Sequence, residues 1–354
     1  MCSPHVRHSV PRTALALALS AGLVAASAAW GSQPAGFVPR EERNGAMKYW
    51  EAWATMSAEL SKKVADVDWD ALAGITEWGA LPESFRGFEQ EPVGSIADAI
   101  ANAASYKRCN FEMQWEDGAM TLMPHLSKMR SGARLLRVAA RMDLAKGRPD
   151  AAVDRVVTEF KCAQAAAQDP VLISSLVGTA ITDLALSEVQ VQAASGKVTA
   201  GGKAKLLGAL RAVNTDDPMN TRASIQGELD TFVPWVEKQF EGGKPSEQLM
   251  GLLDMENGVR KDEARAYFAG LTRETFRGDI ERIRLAFKEL TTLWDTPDAR
   301  RGLDEFDKKV NAGEFGMLAR YFLPTVGKAK TSQDNLRARL TETIRQVENM
   351  KPAK

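Results

Sequence analysis

Residues 121–195 read TLMPHLSKMR SGARLLRVAA RMDLAKGRPD AAVDRVVTEF KCAQAAAQDP VLISSLVGTA ITDLALSEVQ VQAAS. Leu126, Met129, Leu135, Leu136, Val138, Met142 and Leu144 recur at helical spacing, and Gly147-Arg148-Pro149 supplies a helix stop followed by a proline suited to a first helical turn. Asp169-Pro170 punctuates the chain again before a long apolar run. The stretch therefore predicts three consecutive helices over 121–146, 149–168 and 170–195, the first two forming a hairpin of tetratricopeptide character about Gly147.

Working outward, the same signals recur. Asp217-Pro218 and Thr296-Pro297-Asp298 place a capping side chain beside a proline, and Ser95 with Asp98 has the spacing of a capping box. Further helices are expected near 41–66, 95–107, 200–213, 218–241, 258–270, 273–294, 297–312, 314–328 and 332–350, with kinks at Pro234 and Pro324. No segment alternates polar and apolar residues long enough for a strand, although Asn110–Trp115 can lie extended between two helices. The fold class is all-α: an irregular multi-helix bundle with one such hairpin and no substantial sheet.

Residues 1–28 carry the three parts of a secretory signal. Arg7 and Arg12 precede an apolar run from Thr13 to Val24, and Ala26-Ser27-Ala28 fits the small-x-small cleavage rule. Export by the general secretory route with cleavage near Ala28 is expected, and the run is short for a bilayer span of ~20 residues. No integral membrane span is then expected after signal removal. The full chain holds 46 basic and 46 acidic residues; cleavage leaves 44 against 46, with one histidine, His125, and two cysteines, Cys109 and Cys162. That balance argues against a nucleic-acid partner. A single histidine also excludes multi-histidine metal sites, and no motif asks for a cofactor. Three regions follow the leader: an acidic, Trp-rich segment over 29–94, a central helical core over 95–215 and a C-terminal helical region over 216–354.

Cys-Asn-Phe at 109–111, Met123-Pro124-His125-Leu126, Ala139-Ala140-Arg141-Met142-Asp143 and Asp169-Pro170-Val171-Leu172 lie in one block, 109–192. This block resembles a family of secreted helical proteins of planctomycete bacteria, in which a Pro-His-Leu segment opens an Arg-rich helix. The resemblance implies an exported helical fold; the family carries no assigned activity, so no catalytic residue is transferred.

Four groups of residues can carry chemistry. Arg130, Arg134, Arg137 and Arg141 fall within about 60° on a helix at 100° per residue, a candidate anion-binding stripe. The alternative is an internal ladder, with Asp150, Asp154, Glu159 and Asp183 on neighbouring helices as partners. Asp183, the one charge between Pro170 and Ser187, is a candidate buried carboxylate. Cys109 and Cys162 form a candidate disulfide in an oxidising compartment, though Cys162 also suits a buried thiol. His125 reads as a packed or capping histidine rather than a base, since no nucleophile stands beside it in a motif. Glu112, Glu116 and Asp117 lack the spacing of a calcium loop, and Trp50, Leu60 and Val64 sit on a helical stripe that favours core packing over a sugar platform. The expected function is an exported, non-enzymatic binding or scaffold protein whose partner is a protein or envelope component. An enzyme acting on envelope glycans through a single carboxylate, or a carrier of an apolar ligand, are the competing classes.

Overall fold

The computed structural model describes residues 42–72, 74–240, 243–254, 259–323 and 326–353. The leader, its cleavage site and Pro324 lie outside the described residues. Asn44–Lys354 belong to one compact unit. Its helices are α1 (Ala46–Ala54), α2 (Ala58–Asp66), α3 (Glu83–Arg86), α4 (Val93–Ala103), α5 (Pro124–Ala145), α6 (Pro149–Ala166), α7 (Leu172–Ala194) and α8 (Ala200–Val213). Then follow α9 (Thr221–Lys238), α10 (Glu247–Asp254), α11 (Val259–Ala269), α12 (Arg273–Trp294), α13 (Ala299–Ala312), α14 (Gly316–Phe322) and α15 (Val326–Asn349). Tight 3-10 turns occupy Trp69–Leu72, Trp78–Ala80, Gly87–Gln90 and Trp115–Met120. The fold is all-α: the only β-type pairing among the described residues is an isolated parallel bridge between Asn44 and Arg108.

The three helices of the central stretch pack mutually, α5 on α6, α6 on α7 and α5 on α7. Gly147 takes a left-handed φ of 71°, ending α5, and Pro149 occupies the opening turn of α6, where its missing N–H costs nothing. The segment α7 has the length and hydropathy of a membrane span, but two thirds of its most apolar window is buried inside the protein, as in a core helix.

Among the described residues two large hydrophobic cores result, beside a small cluster of Leu144, Ala152 and Val191. The first gathers Tyr49, Trp53, Leu60, Phe85 and Phe88 from the N-terminal segment onto Leu135, Phe160, Ile181 and Leu186, and closes with Leu336 and Leu340 of α15. The second joins Leu172 and Trp235 to Phe268, Phe276, Phe287, Leu303, Phe306 and Val326. Helices α7 and α15 contribute to both, because each is long enough to present one end to either core. The Trp-rich stretch is thus interior: Trp53 stacks on Phe111 at 5.9 Å, and Trp50 meets Trp53 edge-on at 5.0 Å.

Several boundaries depart from expectation for local reasons. The helix anticipated over 41–66 breaks at Thr55–Ser57, where the Ser57 hydroxyl accepts from the Leu60 N–H at 3.0 Å and caps a new start. Asp169 does not cap α7, which begins at Leu172; its carboxylate is taken by His125 instead, and the Leu172 N–H donates to Glu228 at 2.9 Å. Asp217 does cap, but the helix starts later than Pro218: its carboxylate accepts from Thr221 and Arg222 at 2.8 and 3.0 Å. Ser95 and Asp98 form no capping box, since α4 already begins at Val93 and Asp98 is paired with Arg155. Asn110–Gln114 is irregular connecting chain, with Glu112 at a positive φ of 55°. The span 314–328 divides into α14 and the start of α15, whose Val326 and Gly327 N–H groups donate to Asp307. Helix α10 lies in a segment where no helix was expected.

Gly227 on α9 lies against the chain just before α7, because a Cβ there would overlap the Pro170 carbonyl, whereas Gly208 on α8 faces open space. Gly227→Ala is expected to destabilise the protein by about 1–3 kcal/mol through overpacking, and Gly208→Ala to stabilise it by about 0.5–1 kcal/mol. Urea denaturation followed by circular dichroism measures both; equal effects of the two substitutions would contradict this account of the α7–α9 contact.

Candidate functional site

Helix α5 presents its four arginines along one face, and the structure grades them from solvent to interior. Arg130 is exposed. Arg134 is half-buried with its guanidinium 5.2 Å from the Trp69 ring centroid. Desolvation, and then Arg130, lower the Arg134 pKa. Arg137 and Arg141 are 5% and 3% exposed.

The partner of these two buried arginines is Glu188 on α7, which is wholly buried. Arg137 donates through Nε to Glu188 Oε1 at 2.6 Å. Arg141 donates through Nε to Oε2 at 2.9 Å and through Nη2 to Oε1 at 2.8 Å, the two-pronged geometry a guanidinium prefers. Arg141 also donates to the Ile75 carbonyl and to that of Leu72 at 3.4 Å, tying the chain around the Trp69–Leu72 turn onto α5. Every nitrogen of Arg141 is therefore engaged. Arg137 differs: beyond its Nε bond, its two Nη groups make no hydrogen bond to the described residues, and they open onto a cleft of about 310 Å³. Leu72, Gly74 and Thr76 form one wall of that cleft, and Ser187, Gln190, Val191 and Ala194 of α7 the other.

Glu159 of α6 lies behind the arginines. It is wholly buried, and neither carboxylate oxygen has a hydrogen-bond partner. Burial raises its pKa well above the ordinary carboxylate range; Glu188 adds to that effect, while Arg137 and Arg141 oppose it.

The other residues singled out from the sequence are not brought to this cleft. Asp183 is not a buried carboxylate: its side chain is 41% exposed and pairs with Arg339 on α15. Desolvation raises its pKa and Arg339 lowers it. It also does not serve the arginine stripe, since residues 183 and 188 are about 140° apart around a helix that turns 100° per residue. Asp150 and Asp154 are likewise committed elsewhere, to the Thr199 hydroxyl at 2.5 Å and to Lys205 at 2.6 Å. Glu188 stands one residue beyond the run in which Asp183 is the single charge, so the inward-facing carboxylate was missed by window rather than by chemistry.

His125 is completely buried, stacked on Phe111 with ring centroids 4.2 Å apart, and its Nε2 lies 2.6 Å from Asp169 Oδ2. Beside this pair Cys109 and Cys162 are both buried free thiols, and the Tyr49 hydroxyl lies 3.6 Å from Cys162 Sγ. Burial pushes the Cys162 thiol up to about 12 and raises Cys109 as well. Both thiols are thereby kept protonated and unreactive at neutral pH. Glu112, Glu116 and Asp117 are not gathered: among the described residues no group of three or more His, Cys, Asp or Glu is placed to share an ion.

The larger surface hollows differ in kind from the α5–α7 cleft. That near Asp298, Arg301 and Asp304 and that near Asp216, Arg337 and Glu342 are walled by exposed charges, including the pairs Arg301–Asp298 and Arg337–Asp216. Comparison of the chain with family models, curated proteins and solved structures finds no match.

Glu188→Ala is expected to cost about 3–5 kcal/mol, because it leaves two guanidinium groups buried without a counter-charge. Glu159→Met should act in the opposite direction. An acid whose pKa is raised on folding holds its proton more tightly in the folded state, so its contribution to stability falls as pH rises above the unfolded value of ~4.5. The variant should exceed wild type by about 1–3 kcal/mol already near pH 4, the usual scale for relieving an unsatisfied buried polar group, and the margin should widen towards pH 8. Chemical denaturation across that pH range decides it, and a variant destabilised at pH 8 would sink the assignment.

Proposed function

We propose that this is an exported, non-enzymatic helical binding protein whose ligand site is the cleft that Leu72, Gly74 and Thr76 line opposite helices α5 and α7. The observation that carries the reading is Arg137: a residue 5% exposed, fixed at Nε by Glu188, whose terminal nitrogens make no hydrogen bond to the described residues and which lines a cleft. A guanidinium so placed has lost most of its hydration, and a ligand acceptor restores what folding removed. The volume sits at the low end of the range for small-molecule sites, about 300–1,000 Å³.

A binding role rather than a catalytic one is supported by where the reactive groups lie. His125 and both cysteines are sealed in the first core, and Asp183, half-exposed, is held by Arg339. Glu159 is unpaired but does not line the cleft. Export is supported by the leader sequence, and the two buried thiols suit either redox compartment.

Two measurements test this reading. Intact-mass analysis of the protein secreted by a bacterial host should give a chain beginning at Ala29; recovery of the full-length chain from the cytoplasm alone would overturn export. A small-molecule library of mixed charge should contain compounds that raise the melting temperature of the wild type but not that of Ala194→Trp, which fills the cleft from its exposed rim. A library with no such compound would remove the cleft as a binding site.

A further inference from the structure

We propose that the cleft accepts the carboxylate of a small monocarboxylic acid with an apolar body, with the paired Nη groups of Arg137 as its receptor. This inference rests on the reading of the cleft as the binding site and adds the chemistry of what enters it.

Three observations converge on that class. The first is the donor geometry. With Nε held by Glu188 at 2.6 Å, the end of the Arg137 fork that remains is the Nη1–Nη2 edge, which matches the two oxygens of a planar carboxylate. The orientation is set before any ligand arrives, because Glu188 is itself clamped by Arg141 through two nitrogens.

The second is charge. Two buried guanidinium groups face one buried carboxylate, Glu188. Glu159 on α6 does not complete the balance: it is wholly buried without a hydrogen bond, and that environment favours its neutral acid. The charged and titratable groups facing Glu159 are Glu188 from α7, Arg137 and Arg141 from α5, and the Cys162 thiol on its own helix. One positive charge is left over at the cleft wall, so a monoanion compensates it and a dianion such as phosphate overshoots.

The third is the lining. Leu72, Val191 and Ala194 offer apolar surface, while Thr76 and Gln190 are the polar side chains left for a second carboxylate contact, the Ser187 hydroxyl being donated to the Asp183 carbonyl. A ligand with a charged head and an apolar body fits that division better than a sugar or a bare inorganic ion.

The experiment uses the purified mature chain and isothermal titration with hexanoate, hexanol and inorganic phosphate. Hexanoate should saturate the wild type, Arg137→Met should weaken it at least tenfold, and Arg137→Lys, which keeps the charge but loses the fork, should fall between them. Hexanol and phosphate should bind at least tenfold more weakly than hexanoate, and Ala194→Trp should abolish hexanoate binding. Should Arg137→Met fail to fold, Arg137→Lys and Ala194→Trp carry the comparison. The proposal is overturned by absence of hexanoate binding, by unchanged affinity in the Arg137 variants, or by phosphate or hexanol binding as well as hexanoate. Neutral library compounds lost in Ala194→Trp, together with no hexanoate binding, would leave the cleft as a site and remove only its carboxylate preference.

Discussion

Glu188 is the shared counter-charge of two almost wholly buried guanidinium groups, and the arrangement of the central helices depends on that one carboxylate. Neither Arg137 nor Arg141 could remain inside without it, since an isolated buried ion costs several kcal/mol even after relaxation, about 3–5 kcal/mol by the measure of broken buried pairs. The consequence reaches beyond α5 and α7. Because Arg141 spends its remaining nitrogens on the Leu72 and Ile75 carbonyls, the carboxylate on α7 also fixes the Trp69–Leu72 turn against α5. Trp69 in turn covers Arg134 and packs on Phe85 at 5.5 Å, so the N-terminal aromatic cluster is anchored to the same charge.

The protein buries a second polar group of a different kind. His125, Asp169, Tyr49 and the two thiols lie buried among Phe111 and the first core. In that cluster Asp169 is drawn away from the start of α7 to reach His125, and the Glu228 side chain from α9 takes the vacated capping role for the Leu172 N–H. A helix start is thus stabilised from another helix, and the histidine gains a fixed ring orientation. The contrast separates a polar cluster that holds helices in register from one that also meets solvent.

How much of this was legible in the sequence follows from what each signal measures. Helix identity was, because it depends on spacing and punctuation local to each segment: Gly147 with Pro149 places the α5–α6 junction, and 200–213 and 273–294 agree end to end. Helix starts at Pro170 and Pro218 were misplaced, since the capping aspartates were available to a distant histidine and to a later turn, and only tertiary structure decides between such partners. The arginine stripe was legible as a stripe because its periodicity lies within one helix. Its partner was not. Asp183 and Glu188 look equivalent in composition, and the 140° between them becomes meaningful only once α7 is rotated against α5 and α15. The cleft was invisible for the same reason: its walls are separated by more than a hundred residues, from Leu72 to Ala194.

The surplus charge connects the two acids near the arginines. Glu159 is close enough to feel both guanidinium groups, yet its own desolvation and the charge of Glu188 oppose its ionisation. A ligand anion in the cleft meets neither obstacle in full, since it approaches from the side on which Arg137 still touches solvent-accessible space. Occupying the same surplus, it would also make ionisation of Glu159 harder still, because one more negative charge then faces the buried acid. An anion in the cleft and an ionised Glu159 are therefore alternatives, and the burial that opposes ionisation of Glu159 leaves the Nη edge of Arg137 electrostatically available.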